Sequence, residues 1–224
     1  MAVPSVAADI VAAEYGEPTT RYPHGALGDP VEHARLTVRL SDGQRLAARI
    51  PDALVFEDTA PRLADLDGDG GNEIIVVESH EGQGARLAVW GLVDGRLVRR
   101  AATPFIGRRF RWLAPVGAAD LDDDGQVEIA YVETPHLGKT LKIVRLAGDR
   151  LLPVAEAKGL TNHRLGDPFI QGGIAVCDGR PTILTADAGW TRIVGTTFAK
   201  GRLTSRHRGP YRDKQDLDSP SGCD

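Results

Sequence analysis

What this 224-residue chain lacks already excludes several classes. No apolar run reaches the about 20 residues a membrane-spanning helix requires. No stretch carries the i, i+3, i+4 spacing of an amphipathic helix, which excludes an all-helical fold. There is no Gly-x-Ser-x-Gly elbow and no His-Glu-x-x-His pair, so the serine-hydrolase and zinc-peptidase patterns are missing. Gly138-Lys139-Thr140 looks like the end of a phosphate loop, but the residue five before Gly138 is Glu133 rather than glycine, and the cradle fails. Cysteine is reduced to Cys177 and Cys223; one disulfide tying the tail to the body and two free thiols both remain open. The start, Met1 to Ile10, has neither the basic n-region nor the long apolar core of a signal peptide.

What is present is acid, concentrated in two places. Asp65-Leu66-Asp67-Gly68-Asp69-Gly70-Gly71-Asn72-Glu73-Ile74 returns as Asp120-Leu121-Asp122-Asp123-Asp124-Gly125-Gln126-Val127-Glu128-Ile129. Acids at positions 1, 3, 5 and 9 with a glycine at 6 repel one another unless a cation sits among them. Calcium suits such a set, being hard, oxygen-seeking and tolerant of carbonyls and water. An EF-hand would close with a glutamate at position 12 on a helix; here position 12 is Val76 or Tyr131, and the closing acids Glu73 and Glu128 run into strand-like Ile74–Val77 and Ile129–Val132. Nine of the 31 acids lie in these loops, leaving the remainder at +5 while the whole chain is −4, and two divalent ions would neutralise it. Nothing in that balance calls for nucleic acid.

Ala64–Gly70 with Glu73-Ile74, and Ala119–Gly125 with Glu128-Ile129, resemble the FG-GAP/VCBS repeats of integrin-type β-propellers. In that family the acidic loop joins the first and second strands of a blade and binds calcium. The resemblance implies Asp65, Asp67, Asp69 and Glu73, and Asp120, Asp122, Asp124 and Glu128, as side-chain ligands of two Ca2+ ions. Gly71 and Gln126 are implied as main-chain ligands, with Asp123 pointing to solvent.

A second repeat is independent of the acids. A glycine turn followed by Arg-Leu occurs at Gly43, Gly95, Gly148 and Gly201, at intervals of 52, 53 and 53 residues, the length of a four-stranded propeller blade. The expected fold is therefore all-β, a propeller of about four four-stranded blades over residues 1–208 with a polar, frayed tail over 209–224. The second blade is expected at Arg62–Leu66, Ile74–Glu78, Arg86–Gly91 and Arg96–Ala101, and the third at Val116–Leu121, Ile129–Glu133, Thr140–Arg145 and Arg150–Ala155. The first and fourth blades are degenerate and are expected to hold no calcium: the fourth has Thr182 where the closing glutamate would fall.

Loops from strand 2 to 3 and from strand 4 to the next blade gather at the end opposite the acidic loops. They carry His80, Arg111, Trp112, His136, Asn162, His163 and Arg164, with His24 a candidate to join them. One reading is a face for an anionic or glycan-like ligand, with Trp112 as a stacking platform; the plainer one packs Trp112 and Phe110 between blades. The leading function is a non-enzymatic calcium-binding module for a protein or glycan partner, exported to the periplasm or secreted, with Met1 a trimmed or misassigned start. The alternative is a hydrolase or lyase built around His136, His163 and Arg111, which requires those side chains to converge in a concave site.

Overall fold

The computed structural model describes residues 8–218 and 223, so the reading of the start at Met1 lies largely outside the described residues. Among the described residues the chain is all-β with one short helix. Strands β1 (Ile10–Thr19), β2 (Glu32–Leu40) and β3 (Arg45–Arg49) form a first antiparallel meander. In β2, Ala34, Leu36, Val38 and Leu40 point inward while Arg35 and Arg39 face out, the two-residue period of a half-buried strand. The short β4 (Leu54–Phe56) then bridges forward.

The second meander is β5 (Arg62–Ala64), β6 (Glu73–His80), β7 (Gly84–Val93) and β8 (Arg96–Ala102). Pairing of β4 with both β2 and β6 joins the first two meanders into one eight-stranded sheet. The third is β9 (Leu113–Ala119), β10 (Glu128–Glu133), β11 (Thr140–Ala147) and β12 (Arg150–Lys158). After β13 (Leu160–Thr161) comes the fourth: β14 (Gly173–Cys177), β15 (Arg180–Asp187), β16 (Arg192–Ala199) and β17 (Arg202–Pro210), followed by α1 (Gln215–Asp218). The outermost strands β3, β8, β12 and β17 are each hydrogen-bonded on one side.

The expected eight strands of the middle meanders are present with shifted ends. The strand expected at Val116–Leu121 runs Leu113–Ala119 instead, because the Asp120 carboxylate turns the chain by accepting N–H bonds from Asp124 and Gly125. The first meander contributes three strands of its own, and its long connection from 20 to 31 is used elsewhere.

Successive sheets pack face to face, and β6 and β10 each feed two cores. Ile74 and Val76 of β6 meet Leu36, Val38 and Phe56, whereas Ile75 and Val77 meet Ile129, Tyr131 and Val144 of the next meander. Ala130 and Val132 of β10 in turn join Ile183, Val194 and Phe198. This two-sided burial explains why Ile74-Ile75-Val76-Val77 is apolar without alternation. On the outer side of the fourth meander, Leu184, Ala186 and Ile193 are covered by Leu217, and a disulfide joins Cys177 to Cys223.

Candidate metal centres

Each acidic loop links the first and second strands of its meander. In the first, Asp65 accepts N–H bonds from Gly68 (2.7 Å) and Gly70 (3.0 Å), Asp69 accepts one from Gly71 (2.8 Å), and Glu73 reaches back to the amide of Leu66 (2.9 Å). The second repeats the pattern: Asp120 accepts from Asp124 (3.1 Å) and Gly125 (2.8 Å), Asp124 from Gln126 (2.9 Å), and Glu128 from Leu121 (2.9 Å). Leu66 and Leu121 are buried beneath, so each loop is pinned to the core at position 2. Gly70 and Gly125 take φ of 88° and 83°, a left-handed turn that favours glycine at position 6. Asp123 adopts φ 59° where the first loop has Gly68 at 76°, and its side chain is exposed.

The folding of the loops brings Asp65, Asp67 and Glu73 together with one oxygen each within 4.8 Å of the others, and does the same for Asp120, Asp122 and Glu128. Both groups can hold a metal ion. Asp69 and Asp124 lie outside these triplets on the exposed side. Burial pushes the carboxyls of Glu73, Glu128 and Asp122 up, and the neighbouring aspartates add to it. Asp122 Oδ1 is buried with no hydrogen-bond partner among the described residues. An orphaned carboxylate oxygen facing other carboxylates is the donor set a hard cation satisfies.

Sequence reasoning missed two residues here. Arg100 of β8 places Nη1 2.6 Å from Glu73 Oε1 and Nη2 2.8 Å from Asp67 Oδ2. Arg145 of β11 binds Glu128 Oε1 through Nε (2.6 Å) and Nη2, with Nη1 3.1 Å from Asp124. The only signal would have been the cross-strand position of Arg145 opposite Glu128.

At the other end the candidate residues separate. Trp112 is 2% exposed and donates its indole N–H to the Glu57 carbonyl at 2.8 Å. His163 is fully buried; its Nδ1 lies 2.8 Å from His136 Nε2 and its Nε2 2.9 Å from the Asp167 carbonyl. Burial lowers His136 to about 4, with His163 adding to the shift, and also lowers His163, so both imidazoles are neutral at pH 7. Asn162 is buried and donates to the carbonyls of Ala114 and Pro115. Arg164 turns away to cover Trp190 (4.6 Å) and Tyr211, and His80 sits against Phe105. Arg111 bonds the neighbouring Phe110 carbonyl.

The 20–31 connection supplies what the sequence did not announce. Tyr22 and Ala26 are buried, the Tyr22 hydroxyl accepts the Phe110 N–H (2.9 Å), and the Ala26 carbonyl accepts the Gly166 N–H (3.0 Å). His24 Nδ1 lies 2.5 Å from Oε1 of the fully buried Glu57, whose Oε2 accepts the Ser79 hydroxyl. One segment of the first meander thus ties down loops of the others. A separate cavity of about 1010 Å³ opens between β8 and the β11–β12 hairpin, lined among others by Phe105, Leu113, Tyr131, Lys142 and Leu151. None of the candidate histidines lines it.

Residues 51–131, spanning both acidic loops, match the FG-GAP-like repeat family. That segment is an FG-GAP-type repeat. The FG-GAP segment starts just ahead of β4 and ends inside β10. No curated protein matches the chain. Among solved structures it is similar to the rhamnogalacturonan lyase YesW, with 16% identity and a TM-score of 0.45 over 76% of this chain and 41% of that one. A rhamnogalacturonan lyase of Bacillus licheniformis gives 18% identity and a TM-score of 0.42 over the same shares. The chain therefore spans less than half the length of those lyases.

Proposed function

We propose that this chain is a calcium-stabilised propeller module of four blades, one per meander, that binds a protein or glycan partner and is not itself an enzyme. The observation that carries the reading is the recurrence of one Asp/Asp/Glu triplet at equivalent strand 1–2 loops, with the Asp122 oxygen left unpartnered in one of them. Calcium fits because every donor is oxygen and because the exposed Asp69 and Asp124, with the carbonyls of Gly71 and Gln126, could extend the set beyond what magnesium's strict octahedron takes. Bound calcium supplies charge neutralisation that fixes each loop against its strand. An ion that binds only the folded state stabilises it by mass action.

The partner face is the end opposite the acidic loops. Trp112, Asn162 and His163 serve packing there, which leaves His80, Arg111, His136 and Arg164 with surface for a partner. The disulfide supports export to an oxidising compartment, periplasmic or extracellular. The hydrolase or lyase reading has one contact in its favour, His136 to His163, but burial lowers the basicity of both rings and the large cavity lies elsewhere.

The test is a thermal melt in millimolar calcium against excess chelator. At a calcium concentration of ten times Kd each site adds about 1.4 kcal/mol, so the wild-type midpoint rises by several degrees, and the rise disappears in Asp67→Ala/Asp122→Ala. A midpoint indifferent to calcium sinks the assignment.

A further inference from the structure

The two arginines at the acidic loops come from different strands yet end in the same place. In the second meander, the ladder between β7 and β8 slips between Val89 and Trp90, and Arg100 is the extra residue of that bulge. Its side chain crosses the strand over Gly91, where an added Cβ would lie 2.8 Å from Arg100 Cδ and 3.6 Å from Glu73 Cγ. Glycine at that point is what lets the guanidinium reach Glu73 and Asp67.

The third meander has the same bulge, between Ile143 and Val144, the same number of pairs from its hairpin turn. There the bulge residue is Val154, and the position of Gly91 is taken by Arg145. Glycine plus bulge arginine has been exchanged for arginine plus bulge valine, and the guanidinium again meets the closing glutamate. In the fourth meander, where a two-residue turn at Asp178-Gly179 stands in place of the acidic loop, the bulge residue is Arg208. It crosses Gly195, with a Cβ there 2.9 Å from its Nε, and pairs with Asp178 at 3.0 Å.

An arginine delivered to the same loop by two alternative routes is a designed part of the repeat rather than a stray surface pair. Its effect on an ion is direct. Glu73 and Glu128 each give one oxygen to a loop amide and the other to a guanidinium, so neither has an oxygen free of a protein donor. Arg100 also claims Asp67, and Arg145 also reaches Asp124 at 3.1 Å and stands 3.7 Å from the unpartnered Asp122 Oδ1.

We propose that Arg100 and Arg145 are built-in counter-cations of the acidic loops: they hold the loops closed when no ion is bound and set a deliberately weak affinity for divalent cations. The inference rests on the calcium reading above. It makes the sites responsive to the high calcium of an exported setting, in the range of about 10⁻⁴–10⁻³ M found for extracellular modules.

Isothermal titration of the full chain with calcium chloride tests it, on wild type, Arg100→Gln and Arg145→Gln. Each variant is expected to bind one calcium at least about tenfold more tightly, since a positive charge a few ångströms from the ion has been removed, and to melt lower than wild type in chelator. Binding that is unchanged or weakened in both variants, with wild type binding normally, overturns the inference and leaves the calcium sites standing. Absence of binding in all three proteins overturns the calcium reading itself and the inference with it. A relocation variant, Arg145→Gly/Val154→Arg, puts the guanidinium where the second meander has it and should return the affinity to the wild-type value. Affinity that stays at the Arg145→Gln level shows that charge at the loop is not what sets it, and the proposal falls.

Discussion

Removing the disulfide between Cys177 and Cys223 should loosen the fourth meander before any other part of the molecule. The bond closes a span of 46 residues. Cross-linking a span of that length removes about 4 kcal/mol of unfolded-chain entropy, against a usual yield of about 2–4 kcal/mol. For a domain of this length 1 kcal/mol moves the midpoint by about 2–4 °C, so loss of the bond should lower it by about 4–16 °C. The effect should also be local. Cys177 ends β14, and Cys223 helps Leu217 and Tyr211 cover Leu184, Ala186 and Ile193, while the Cys223 carbonyl accepts from Arg208. Cys177→Ala/Cys223→Ala, and wild type with a phosphine reductant, should give the same lowered midpoint by calorimetry. Hydrogen exchange should speed up in β14 and β15 while β6 and β10 keep their protection. A midpoint within a degree of wild type in both preparations would contradict a local cross-link effect, and so would an even loss of protection across all four meanders.

Glu32 is 2% exposed, and burial first, then Glu57, Asp29 and Asp58, push its carboxyl up to about 9. The folded chain therefore holds a proton there that the unfolded chain releases near pH 4.3, so this group's contribution is intact below that pH and is lost as pH rises toward 9. Glu32→Gln should melt higher than wild type at pH 8 and differ little at pH 4.5; an equal difference at both would contradict the assignment. Gly84 has φ 73°, and a Cβ would lie 2.2 Å from the Arg108 carbonyl oxygen and 2.7 Å from that of Arg111. Gly84→Ala should cost about 3 kcal/mol or more, read in urea unfolding, and a cost under 1 kcal/mol would mean the 108–111 loop yields freely. Glu78 is fully buried and accepts from Arg86 and from the Trp90 indole. Glu78→Gln leaves those donors half-satisfied and should cost about 3–5 kcal/mol, measured the same way.

The middle of the chain was legible because two signals agreed there. The acidic run fixed where β5 meets β6 and where β9 meets β10, and the Gly-Arg-Leu turns fixed β7–β8 and β11–β12, each within about three residues of the observed ends. Both signals are local, written within about ten consecutive residues. What escaped depends on distant partners. Glu57 follows Leu54-Val55-Phe56 like any loop acid, and only the fold reveals that His24 and Ser79 close on it across more than 20 positions. Arg100 is one of three arginines in β8 and nothing in its neighbours marks it as the one that turns toward Asp67. Trp112 read more simply as packing than as a platform, and its ring proved to be enclosed. The pairing of Cys177 with Cys223 was open for the same reason: two thiols in sequence do not state their separation in space.

The four outermost strands have a consequence for how separate copies meet. β3, β8, β12 and β17 each leave one row of backbone donors and acceptors open, the surface on which strands of different molecules add to one another. Those strands carry ten lysines and arginines against the single acid Glu156, and β12 has Pro153 in its middle. In a chain whose net charge is −4, the acid has been moved to the loops and the base to the rims. Like-charged rims push apart, so protein kept at low ionic strength stays dispersed. At about 1 M salt, where screening acts within about 3 Å, that protection fades and edge-to-edge association becomes the route by which solutions of this protein would cloud.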